Sequence, residues 1–253
     1  MGQKITEAGH VQTVRTKVKY QCDYHKETYM EFIRVKNFNE ASALLLEALR
    51  YEGSIIPAQA PISIALSGGR SISPLITAFH HAPDPILQRI QCYLIDERLE
   101  KPYNIDTLLD QGMRKLIDTG RLQSGQLHGP QVSLSYQKMK VSYAQKLPNF
   151  SLICAGVGED GHVASLFPGS RALESTEIIE IIDDSPKPPK KRFTLTPQAF
   201  RSQKHGSSVF LLFFGDEKRE ALTRFMTTSD FHSCPAVLFK DFDHVSIVTD
   251  LEA

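Results

Sequence analysis

Apolar positions along this chain gather into short runs, Ile62 to Leu66, Ile90 to Ile95, Phe150 to Ala155 and Ser208 to Phe214, that polar residues barely interrupt. A nearly continuous apolar run of strand length fits a strand buried on both faces, because a half-exposed strand would alternate. Tyr29 to Val35, Ile178 to Ile182, Phe193 to Thr196 and His244 to Thr249 read as further strands. Between the strands, apolar residues recur at helical spacing. The pattern predicts a helix capped by Asn39 and running through Arg50, others over Ser73 to His81, Asp106 to Leu116, Tyr136 to Leu147 and Asp216 to Met226, and a short one after Pro197. Strands separated by helices imply a mainly parallel sheet, since parallel neighbours need long crossovers. The expected fold is therefore α/β, a single Rossmann-like domain with helices on both faces of the sheet. Residues 1–28 are polar and aperiodic and are expected to form an N-terminal arm or edge segment, leaving 29–253 as the α/β domain.

Charge and cysteine content narrow the class. Lysine plus arginine number 29, as do aspartate plus glutamate, so no overall field recruits nucleic acid or an anionic membrane and any anion site must be local. Cys22, Cys92, Cys154 and Cys234 are widely spaced without a CxxC pair, so free thiols in a reducing compartment are expected rather than a disulfide scaffold or a zinc ribbon. Cys22-x-x-His25, His80-His81 and His232-x-Cys234 are isolated pairs, and no metal site is expected from them. The longest apolar run, Val209 to Phe214, has the length of a strand, and no basic-then-apolar leader opens the sequence, so a soluble, cytoplasmic protein is expected.

Chemistry concentrates in the polar loops that follow strands, and in a parallel sheet such loops emerge on one edge. Gly156 to His162 sets a histidine in a glycine-rich turn directly after a strand. Asp160 can accept a hydrogen bond from one ring nitrogen of His162 and fix the tautomer, leaving the other nitrogen to take a proton from water. That is the arrangement of a general base. Ser67-Gly68-Gly69-Arg70-Ser71 joins a strand to a helix, so its amides and the helix N-terminus form an anion site with Arg70 adding charge. An ordinary tight turn is the plain alternative. Asp96-Glu97-Arg98 ends another strand: Arg98 offers a forked donor to a phosphate or a developing oxyanion, with Asp96 or Glu97 fixing the fork, against the plain reading of a surface ion pair. Ser185 to Arg192 holds four cations among three prolines, and Lys187 and Arg192 are placed to close a phosphate site. A solvated basic loop and a proline-rich peptide ligand are its alternatives.

Other enzyme classes fit less well. Gly156-x-Gly-x-x-Gly161, with Asp183 downstream, matches a dinucleotide fingerprint, but Pro168-Gly169 interrupts the helix the fingerprint needs, and Glu159 and Asp160 would set negative charge beside a pyrophosphate. The Ser67 loop lacks the Gly-Lys-Ser/Thr ending of a Walker loop. No Gly-x-Ser-x-Gly elbow surrounds Ser67 or Ser165, so a serine hydrolase is weakly supported.

Taken in chain order, Leu66-Ser-Gly-Gly, Asp96-Glu97-Arg98, Gly156-x-Gly-x-Asp-Gly-His-x-Ala-Ser-Leu-Phe-Pro-Gly-Ser170 and Asp184-Ser-Pro-Lys-Pro-Pro-x-x-Arg-x-Thr-Leu-Thr196 resemble the 6-phosphogluconolactonase family, within the wider group that includes glucosamine-6-phosphate deaminase. The deaminases carry a Phe-Asn-Glu-Pro-type continuation where this chain has Ser165-Leu-Phe-Pro168, which favours the lactonase branch. The resemblance implies hydrolysis of the δ-lactone of 6-phosphogluconate in the oxidative pentose phosphate pathway. It implies His162 as general base and Gly68, Gly69, Arg98, Lys187 and Arg192 as residues that hold the substrate; Asp160 and Arg98 are the candidate catalytic partners of His162, and Ser67, Arg70, Asp96 and Asn104 are further candidate substrate contacts. It further implies no metal or organic cofactor and a small sugar-phosphate lactone as partner; a monomer or small homo-oligomer is expected. Arg70-Ser71-Ile72 stands in place of the family's usual Ser-Thr-Pro, the span after Arg98 is short, and the neighbours of Asn104 differ. Two alternatives stay open: an amino-sugar-phosphate deaminase or isomerase in which Asp96 moves a proton at C2, and a catalytically silent sugar-phosphate sensor.

Overall fold

A computed structural model describes residues 14–21 and 27–252. Residues 1–13 and 22–26 of the expected arm, with Cys22 and His25, lie outside the described residues. In chain order the strands are β1 (Val14–Gln21), β2 (Glu27–Arg34), β3 (Ile62–Leu66), β4 (Ile90–Leu94), β5 (Asp96–Arg98), β6 (Leu127–His128), β7 (Leu152–Gly156), β8 (Ile179–Ile182), β9 (Arg192–Leu195), β10 (Ser208–Phe213) and β11 (His244–Thr249). Eight of them form one sheet in the order β1-β2-β11-β10-β7-β3-β4-β6, parallel except for β1 against β2.

Strand order fixes where a ligand can sit. From β3 the chain steps outward to β4 and β6, then returns to the other side of β3 and builds β7, β10 and β11 in the opposite direction. The reversal falls between β3 and β7. At such a switch point the loops leaving two neighbouring strands diverge, which opens a crevice at their carboxyl ends.

Helices cover both faces, and the apolar runs are continuous for that reason. Leu152 and Cys154 of β7 pack in one core with Leu66, Leu75 and Phe79, whereas the alternating Ile153 and Ala155 pack in the other with Phe213, Phe225 and Phe239. Cys92, Cys154 and Cys234 are free and buried, and burial pushes the Cys92 thiol up to about 12. Among the described residues no helix is long and apolar enough to cross a membrane.

Three sequence-based expectations need correction. The first long helix, Phe38–Ile55, is capped by Asn37 and not Asn39: the Asn37 side-chain Oδ1 accepts from the backbone N–H of Asn39 at 3.0 Å and of Glu40 at 3.1 Å. The segment expected as one helix over Asp106 to Leu116 is two short helices, Asn104–Leu108 and Arg114–Asp118, separated by a wider turn in which Gly112 has φ +133°. Asp96-Glu97-Arg98 is not a loop but β5, which pairs with β9 in a small antiparallel sheet ordered β5-β9-β8. This second sheet continues the carboxyl end of β4, and Leu195 N–H donates to the Ile95 carbonyl at 2.8 Å to stitch the two together.

Candidate active site

The turn that follows β7 is built around its histidine. His162 Nδ1 is hydrogen-bonded to Asp160 Oδ1, which also accepts from the His162 backbone N–H at 3.3 Å. A carboxylate only accepts, so Nδ1 carries the proton and Nε2 is left as the basic nitrogen. Burial alone would raise the Asp160 carboxyl, but the bond to the imidazole and its charge outweigh that and hold it well below the usual carboxylate range. Glycine is required at position 158 by contact, since a Cβ there would lie 2.0 Å from His162 Nδ1. The Phe167 ring packs against the imidazole with centroids 4.6 Å apart. The His162 side chain retains 18 % of its surface open, so water reaches the ring.

The β3 loop is tied directly to this turn. Ser67 Oγ accepts from the Gly156 N–H at 3.0 Å, and Gly156 has no room for a side chain because Ser71 Cβ would stand 2.7 Å from it. Gly69 adopts φ +87°, which suits glycine, and opens the turn into the helix Ser73–His81. Gly68 is pressed against Asn104, whose Cγ would be 2.2 Å from an added Cβ. Asn104 is buried, and its amide donates to the Asp96 carbonyl at 3.2 Å. Arg70 is exposed on the rim.

The acidic residues of β5 do not fix the Arg98 fork as the sequence suggested. Asp96 is 5 % exposed, and its Oδ2 accepts from Ser165 Oγ at 2.8 Å. Glu97 turns to the backbone: its carboxylate accepts from the N–H groups of Arg98, Asn104 and Ile105, and so caps the helix Asn104–Leu108. Burial pushes the Glu97 carboxyl up to about 7 against the pull of those amides. Glu97→Ala leaves three amide donors without their acceptor, at about 1–3 kcal/mol for each that stays buried. A thermal melt should therefore drop by several degrees, and an unchanged melt would contradict the capping role.

Arg98 and Arg192 stand directly opposite each other across the β5–β9 ladder. Arg98 Nη1 reaches the Pro102 carbonyl at 3.4 Å, while its buried Nε has no hydrogen-bond partner among the described residues. Arg192, 7 % exposed, donates to the carbonyls of Pro189 at 2.7 Å, Pro188 at 2.9 Å and Lys187 at 3.2 Å, and thereby folds the proline-rich loop around its own guanidinium. That loop returns to the histidine turn, where Lys187 Nζ pairs with Glu159 at 3.0 Å.

One further cation escaped the sequence reading. Lys218, at the start of the helical segment that follows β10, is half-buried, which lowers its pKa, and it senses the charges of Lys187, Glu159 and Asp160. The signal was present in a lysine placed in the loop after a central strand, on the same sheet edge as His162, but a lysine at a helix start ordinarily reads as solvent-facing. Among the described residues no group of three or more His, Cys, Asp or Glu side chains is placed to hold a metal ion.

A mainly parallel sheet whose strand order reverses between β3 and β7, with a His–Asp pair on the turn after β7, defines an open α/β protein, a class whose ligand sites lie at the carboxyl ends of the strands. The chain belongs to the family of glucosamine-6-phosphate isomerases/6-phosphogluconolactonases, which matches residues 39–247. It is 30 % identical over 201 residues to a 6-phosphogluconolactonase of Borreliella burgdorferi, covering 75 % of this chain and 84 % of that protein. It is 29 % identical over 212 residues to the human 6-phosphogluconolactonase, covering 78 % of this chain and 81 % of that protein. The solved structure of 6-phosphogluconolactonase from Trypanosoma cruzi superposes with a TM-score of 0.71 at 22 % identity, over 86 % of this chain and 93 % of that one, a likeness of fold.

Proposed function

We propose that this chain hydrolyses 6-phospho-D-glucono-1,5-lactone to 6-phospho-D-gluconate, the lactone-opening step of the oxidative pentose phosphate pathway, in the cytoplasm. The names of its relatives support the reaction, and the observation that carries the mechanism is the imidazole at the switch point, oriented by Asp160 and open to water. Nε2 of His162 takes a proton from water as the oxygen attacks the lactone carbonyl. The negative charge that develops on the carbonyl oxygen is assigned to the guanidinium of Arg98, a partly exposed residue at the end of β5. Collapse of the tetrahedral intermediate breaks the bond to the ring oxygen, and the imidazolium returns its proton there. The enzyme forms no covalent bond to the substrate. Lys187, Arg192 and Lys218, with the Ser67–Arg70 loop, supply the positive end for the phosphate.

An isomerase or deaminase within the same family needs a mobile proton acceptor at C2. Asp96, the candidate for that task, is buried and bound by Ser165, which favours the lactonase reading. Release of ammonia from glucosamine 6-phosphate at a rate comparable to lactone opening would reverse this preference.

Lys187→Ala tests the phosphate assignment. One charge-assisted hydrogen bond contributes about 1.5–3 kcal/mol, so KM for the phosphorylated lactone should rise about 10- to 150-fold with kcat largely kept. Unphosphorylated gluconolactone should be handled by the variant as by the wild type. If the variant discriminates between the two lactones as the wild type does, Lys187 does not hold the phosphate.

A further inference from the structure

Three consecutive carbonyls of the catalytic turn each have a defined donor. The Gly158 N–H donates to the His162 carbonyl at 2.8 Å, the Ala236 N–H to the Gly161 carbonyl at 3.1 Å, and Arg224 Nη1 to the Asp160 carbonyl at 3.2 Å. Two of the three donors come from the C-terminal part of the chain. Cys234 adds contact on the same side, since a Cβ on Gly161 would lie 2.8 Å from its Sγ.

The Arg224 bond acts together with one inside the turn, the Gly161 N–H donating to the Gly158 carbonyl at 3.0 Å. It holds the peptide between Asp160 and Gly161, and Gly161 sits at φ +85°, in a region where glycine meets little steric resistance to rotation. Rotation of that peptide would swing the Asp160 carboxylate away from His162 Nδ1. Arg224 lies on the helix Arg219–Thr227, whose buried face packs Ala221, Leu222 and Phe225 into the core, so the donor is anchored to a fixed element. Its second arm is held by Glu220 Oε1 at 2.6 Å. Its side chain is one-third exposed, so replacement leaves no large cavity.

We propose that Arg224 is a positioning residue for the His162–Asp160 pair, fixing the Asp160–Gly161 peptide so that the carboxylate stays on the imidazole. This rests on the reading that His162 is the general base. A misplacement of catalytic groups by about 1 Å costs on the order of 10²-fold, so Arg224→Gln should lower kcat about 10- to 100-fold while KM for the lactone and the thermal midpoint stay near wild type. Arg224→Lys, which keeps one donor for the carbonyl, should recover most of that loss. Wild-type kcat in Arg224→Gln overturns the proposal, and so does a loss that lysine does not recover. Should Arg224→Gln fail to fold, Arg224→Met, which keeps the aliphatic stem and removes every donor to the Asp160 carbonyl, decides in its place: reduced kcat with KM retained supports the role, and wild-type kcat overturns it. His162→Ala measured alongside separates the two layers. If His162→Ala keeps its rate the general-base reading fails, whereas a slow His162→Ala beside a fast Arg224→Gln removes Arg224 alone.

Discussion

His162→Ala should lower kcat for 6-phosphogluconolactone by about 10²- to 10⁴-fold, the usual worth of a positioned general base, and leave KM within a few-fold of wild type. The split follows from the arrangement of the site. The imidazole sits on the turn after β7, whereas the cations proposed for the phosphate come from the β9 loop and the segment after β10, so removing the ring takes away the proton acceptor and leaves the anion's anchors in place. Little stability should be lost, because the ring is partly open and its main apolar contact is a single face against Phe167. A variant with wild-type kcat would remove His162 from the chemistry.

Arg192→Ala should combine two losses that Lys187→Ala keeps apart. The guanidinium is buried and donates to three carbonyls of the proline-rich loop, so alanine leaves those acceptors unpaired and releases the segment that carries Lys187. KM should therefore rise at least as far as in Lys187→Ala, by about 150-fold if one charged contact of about 3 kcal/mol is lost, and the thermal midpoint should fall by several degrees. Lys187→Ala removes an exposed side chain paired with an exposed Glu159, and its melt should match wild type. Equal melts for the two variants would contradict the loop-anchoring role of Arg192, and an unchanged KM in Arg192→Ala would take it out of the substrate site.

The parts of the molecule that sequence reveals are those in which local pattern and global fold agree. Strands β3, β7 and β10 are continuous apolar runs because both their faces are buried, and the pairing of Asp160 with His162 is a contact between residues two positions apart. What sequence hides is long-range. Asp96 to Arg98 resembles a charged loop, yet it forms a strand because its ladder partner, Arg192 to Thr194, arrives more than ninety residues later. Glu97 is a charged side chain that folding buries, and its acceptors' partners, the amides at 104 and 105, become visible only once the chain turns back. Gly158 reads as one glycine among several, although the imidazole occupies the place of its missing side chain. Lys218 and Arg224 lie on one helical segment whose polar residues look solvent-facing, and only the sheet order brings them beside Asp160.

The most direct measurement is the rate at which the purified chain opens freshly generated 6-phosphogluconolactone, followed against an enzyme-free control because the compound also opens by itself. Rapid enzyme-dependent opening, faster for the phosphorylated lactone than for its unphosphorylated counterpart, is the predicted result. A progress curve that superimposes on the control would contradict it.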